Sequence, residues 1–153
     1  MRLFLRIGIS TVKGFCAALQ RPALGVTSFA ALAYNAEGKA LAAIPAGRDF
    51  YYVCGFAEDK RVSLPPAYVS GERLAVLAEE YPVYAYAPLP VPYTKADPAA
   101  GLLRAVEGAR EEDFGDISAF YLKKSQAEEE REAKARGAAT AQKGATAGEG
   151  GAE

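Results

Sequence analysis

The chain holds 153 residues, half of them hydrophobic, and its 18 Lys and Arg against 19 Asp and Glu leave a net charge of −1. This is material for one modest core, and it supplies no basic field that would draw the molecule onto a phosphate backbone. There is no histidine, which removes Ser-His and Cys-His nucleophile pairs, the imidazole general base and the commonest zinc ligand.

The two cysteines, Cys16 and Cys54, are too few and too far apart for a disulfide framework or a CxxC metal pair, and they read as buried free thiols. No metal site and no cofactor are expected. The opening MRLFLRIGIS is broken by Arg6 and Gly8, and no stretch reaches the ~18 apolar residues of a membrane span. The expectation is a cytoplasmic chain without membrane contact.

Over residues 5–19, Leu5, Ile9, Val12, Cys16 and Leu19 fall on one helical stripe. Beside it runs a line of mostly small residues, Ile7, Thr11, Gly14 and Ala18, which would let another helix approach closely. That line is the candidate partner interface, although packing inside the chain's own core uses the same residue types and fits the pattern equally. Pro22 ends the helix, residues 23–27 (ALGVT) read as a short buried strand, and Ser28 is placed to cap a second helix through Ala33.

Residues 40–44 and 49–56 are apolar or aromatic runs separated by Pro45 and Gly47, the pattern of a hairpin. A third strand is expected over 61–64, ended by Pro65 and Pro66, and Ser70 should then cap a helix carrying Leu74, Leu77 and Ala78. Residues 83–87 alternate as a strand does, and PLPVPY, with three prolines in six residues, is an extended loop. Asp97 followed by Pro98 predicts a helix to about Arg110 with Leu102, Leu103 and Val106 turned inward. Residues 127–136 carry charge of both signs without an apolar stripe, so a solvated helix is expected there. Eleven of the seventeen residues in 137–153 are Ala or Gly, a composition that predicts a disordered tail.

Three patterns suggest chemistry and are better explained without it. GISTVKG, residues 8–14, gathers glycines, a Ser-Thr pair and Lys13, but Lys13 precedes its glycine and the segment lies within a helix, whereas a P-loop needs G-x-x-x-x-G-K-[ST] between strand and helix. Phe50, Tyr51, Tyr52 and Phe56, with Tyr81, Tyr84, Tyr86 and Tyr93, lack the interleaved basic residues of a base-stacking platform and read as strand residues packing a sheet. The pairs Glu79-Glu80 and Glu111-Glu112 sit at helix ends or loops, and nothing sets two carboxylates at a working separation.

The order L-R-I-G, a small polar patch, K-G, an apolar turn, a proline and then G-V-T-S, across residues 5–33, resembles the TsaB (YeaZ) family. The similarity extends to ALAAI at residues 40–44 and to YLKKSQAE at 121–128, and so covers roughly residues 5–128. The resemblance implies an α/β chain with a partial actin/Hsp70-like (ASKHA) fold over residues 1–126, mainly the second subdomain plus the preceding helix-strand-helix of the first. It implies a non-catalytic subunit in the formation of N6-threonylcarbamoyladenosine on ANN-decoding tRNAs. Such a subunit pairs with the catalytic subunit TsaD and recruits the ATPase TsaE, with tRNA met only through the complex.

In that family the helix matching residues 5–19 contributes to a helical bundle with the partner. Two departures stand out. Family members carry strands, a helix and a Gly-rich loop ahead of this stretch, where this chain has Met1-Arg2-Leu3-Phe4, which predicts an uncovered apolar patch on helix 5–19, and a truncated reading frame or a remnant that must associate. The family's D-A-R segment reads Pro45-Ala46-Gly47 here, so no role of that aspartate and arginine carries over. Two other readings are a relative of glycoprotease-like metallopeptidases, opposed by the lack of histidine, and a small self-associating module, a homodimer without a tRNA role.

Overall fold

The structure, a computed structural model, describes residues 2–118, with side chains described from Leu5 onward. All of these fall in one unit spanning Met1–Leu122. The expected charged helix at 127–136, the tail at 137–153 and the YLKKSQAE stretch lie outside the described residues.

In chain order, α1 (Arg2–Leu19) leads into β1 (Ala23–Leu24) and α2 (Ser28–Ala33); then come β2 (Ala40–Gly47), β3 (Phe50–Phe56), β4 (Val62–Ser70) and α3 (Gly71–Glu80). β5 (Val83–Ala85), β6 (Thr94–Lys95), α4 (Pro98–Glu107), a single 3-10 turn (Glu111–Asp113) and β7 (Phe114–Gly115) complete the described part.

Five strands form one mixed sheet in the order β4-β3-β2-β5-β6, with β2-β3-β4 antiparallel and β5 and β6 added in parallel. The period-2 alternation of β2 divides its small residues between two cores. Ala40 and Ala42 face Phe29, Leu32 and Ala33 of α2 together with Cys54 and Phe56, whereas Leu41 and Ala43 face Leu74 and Leu77 of α3 together with Val53 and Val83. The aromatics of β3 follow this division, with Phe56 buried and Tyr51 and Tyr52 half-buried. Phe50, the first residue of the strand, is exposed and stacks on Tyr68 of β4 with ring centroids 4.8 Å apart.

The hairpin joins β2 to β3 as predicted, but Pro45 and Gly47 belong to the strand, and the turn is Arg48-Asp49, both with positive φ (53° and 58°). A two-residue primed turn requires that conformation, and the Asp49 carbonyl accepts a hydrogen bond from the Gly71 N–H at 3.0 Å, which ties the turn to the start of α3.

The prolines do not end β4. It runs through them to Ser70, because Val53 pairs with Ala67 and Gly55 with Leu64, leaving Pro65 and Pro66 in a bulge opposite Cys54 on an edge strand. An edge and a bulge are where a sheet tolerates a residue with no N–H to donate. The strand expected over 23–27 shrinks to β1, two half-buried residues that pair with β7 outside the main sheet. Thr27, not Ser28, caps α2: its hydroxyl accepts from the Ala30 N–H at 3.1 Å. Ser70 and Asp97 cap α3 and α4 as expected.

The largest correction concerns α4. Its buried residues are Gly101 and Ala105, while Leu102, Leu103 and Val106 are 44%, 65% and 50% exposed. The backbone of α4 approaches α2 so closely that a Cβ at Gly101 would run into the Ala31 carbonyl oxygen. The small face of the helix, rather than its apolar one, therefore meets the fold.

Candidate partner-docking surface

α1 runs for eighteen helical residues without a proline to interrupt it, although ten of them, Gly8 and Gly14 included, are glycine, β-branched, aromatic, Ser or Cys residues of modest helix propensity. Most of its described side chains are exposed. Leu5, Ile7, Val12, Phe15 and Leu19 are 41–69% exposed, and only Ile9 and Cys16 among its described side chains are half-buried. Water-exposed apolar groups at this density are costly for an isolated helix and mark a surface built to be covered.

All four residues of the predicted line lie on the outside. Ile7, Thr11, Gly14 and Ala18 are exposed, a Cβ at Gly14 would meet nothing within 4 Å, and the Thr11 hydroxyl donates to the Ile7 carbonyl at 2.9 Å within the helix. The line and the larger stripe beside it are thus bare together. The uncovered apolar patch expected on helix 5–19 is present, and it includes Phe15, which the sequence reading did not single out and which at 63% exposure is the largest apolar side chain among those described on α1. Cys16, expected to be buried, is half-buried, whereas Cys54 is fully buried and its thiol lies 3.5 Å from the Leu64 carbonyl oxygen. Burial pushes the Cys54 thiol up to about 11.

The fold holds α1 by its C-terminal end. β1 pairs with β7, a Cβ at Gly25 would touch the Ile117 side chain at 3.3 Å, and Lys13 forms an ion pair with Asp116 at 2.9 Å. The pair is largely solvated and adds little stability; its significance is that it fixes where α1 lies relative to the strand following α4. An apolar groove of about 360 Å³ opens nearby, lined by Val26 and Thr27 beyond β1, by Tyr86, and by Pro98 and Leu102 of α4. Among the described residues no three His, Cys, Asp or Glu side chains converge as a metal site requires, and no helix is long and apolar enough to cross a membrane.

No protein-family model matches the chain, and no curated protein matches it. Solved structures do. A crystal structure from Pseudomonas aeruginosa, described as an uncharacterized protein with similarity to peptidase YeaZ, is similar over 77% of this chain and 67% of its own, with a TM-score of 0.50 at 24% identity. YeaZ from Pseudomonas aeruginosa is similar over 76% of this chain and 67% of its own, with a TM-score of 0.47 at 21% identity. The mixed α/β arrangement of this chain is accordingly similar in structure to the YeaZ-like protein of Pseudomonas aeruginosa.

Proposed function

We propose that the chain is a non-catalytic subunit of the machinery that forms N6-threonylcarbamoyladenosine on ANN-decoding tRNAs, docking through α1 on a TsaD-like catalytic subunit. The observation that carries this reading is the bare apolar surface of α1. An 18-residue helix with five large apolar side chains open to water is more economically explained as half of a helix-helix interface than as a free surface.

Support comes from the YeaZ-like fold and from the order of motifs across residues 5–33 and 121–128. Within the reading, residues 1–126 form a partial ASKHA-like domain, and Ile7, Thr11, Gly14 and Ala18 let the partner helix approach closely beside the larger stripe. A TsaE-like ATPase joins the same complex, and tRNA is met only through it. Co-expression of the full chain with a TsaD subunit from the same genome tests the proposal: a stoichiometric complex on gel filtration is expected, and separate elution of the two chains would contradict it.

A further inference from the structure

We infer that the apolar groove between α2 and α4 is the seat of the chain's own continuation beyond Ser118, with Phe120 and Leu122 as the side chains that enter it. Val26, Ala31, Leu32, Pro98 and Leu102 give the groove apolar walls, and it measures about 360 Å³. An apolar cavity of roughly 150 Å³ holds a benzene ring. There is room for two large apolar side chains.

The course of the chain leads to this groove. β1 and β7 are antiparallel, with Ala23 opposite Gly115 and Leu24 opposite Phe114. A straight continuation of β7 would carry Ile117 opposite Arg21, four positions from Gly25 and roughly 13 Å away along the strand. Ile117 is not there, because its side chain lies 3.3 Å from where a Cβ on Gly25 would stand. The chain therefore turns back after Gly115 and runs along β1 toward Val26, which lines the groove. Phe120, three residues beyond Ile117, has a reach of up to about 10 Å from it.

Composition names the occupant. Phe120, Tyr121 and Leu122 are the last large apolar residues of the sequence, since residues 123–153 hold no Val, Ile, Leu, Met, Phe, Tyr or Trp. The unit of the fold that contains the groove also ends at Leu122. In extended backbone Phe120 and Leu122 share one side and Tyr121 takes the other. The pair can thus enter the groove while the tyrosine hydroxyl stays in water, and burial of two such side chains offsets the ordering of the short link from Ser118.

The chain has no tryptophan, so Phe120→Trp in the full chain gives a single fluorescent reporter at the inferred seat. Its emission should lie to the blue of that of the same protein in urea, and acrylamide should quench it several-fold less. Leu102→Glu, at the groove wall and 44% exposed, should move the emission to the red and restore quenching without unfolding the protein. Val76→Glu, on α3 and 52% exposed, should change neither. Leu122→Trp provides a second reporter with the same expected response, should Phe120→Trp not fold.

A folded protein whose indole emits as it does in urea would overturn the inference, and so would a shielded indole indifferent to Leu102→Glu, which would place the segment elsewhere. Shielding that appears only as protein concentration rises would give the groove to a second copy's segment. An indole open to solvent in the free chain and shielded only when a TsaD subunit is added would give the groove to that partner. Either result would also contradict it.

Discussion

Asn35 and Asp97, 62 positions apart, exchange a reciprocal pair of hydrogen bonds: the Asn35 amide donates to the Asp97 carbonyl at 3.0 Å, and the Asp97 N–H donates back to Asn35 Oδ1 at 3.1 Å. The same amide also donates to the Ala31 carbonyl at 3.0 Å. One side chain thus joins the end of α2 to the residue whose carboxylate caps α4. Asn35→Ala should destabilise the fold by about 2 kcal/mol, because it removes the hydrogen bonds that the one side chain makes to the Ala31 carbonyl and to the Asp97 carbonyl and N–H. Equilibrium denaturation in urea will show it, and Asn35→Asp, which keeps one acceptor, should lose less.

Gly101 is held by the approach of α4 to α2, so Gly101→Val should cost on the order of 3 kcal/mol through displaced backbone. Gly8 offers the control. A Cβ there meets nothing within 4 Å, and Gly8→Ala should stabilise α1 by about 1 kcal/mol. Opposite signs in thermal unfolding are the expected outcome.

The two thiols should differ in reactivity. In the native protein Cys16 should react with a disulfide reagent while Cys54 stays protected until unfolding, because Cys54 is buried and its thiol is held up to about 11. A raised thiol pKa means that above its ordinary value near 9.0 the unfolded chain has lost a proton the folded one keeps. The resulting stability is fully present below pH 9 and is lost as the pH rises through about 11. Cys54→Ala should remove that part of the pH slope.

The elements themselves were legible wherever local chemistry decides them: the Ser70 and Asp97 caps, the apolar period of α1 and the alternation of β2 need no tertiary partner to be read. What escaped were outcomes of packing. Pro65 and Pro66 end a strand in isolation, yet at an edge bulge they do not. For α4 the periodicity located the helix and misassigned its face, because an apolar stripe says only that something will cover it. Gly101 and Ala105, spaced i to i+4, were the available signal that the close contact lay on the other side. The same ambiguity left the line of Ile7, Thr11, Gly14 and Ala18 open between core and interface, and its exposure is visible only once the neighbours of α1 are known.

The central claim, that the bare apolar stripe of α1 seats a partner subunit, is tested most directly by Phe15→Glu in the full chain. Phe15 is 63% exposed, so thermal unfolding should move by less than about 1 kcal/mol. Affinity for the TsaD subunit, measured by calorimetry, should fall by about 100-fold or more, as removal of a central aromatic anchor does. A Phe15→Glu protein that binds the subunit as tightly as wild type would contradict the account.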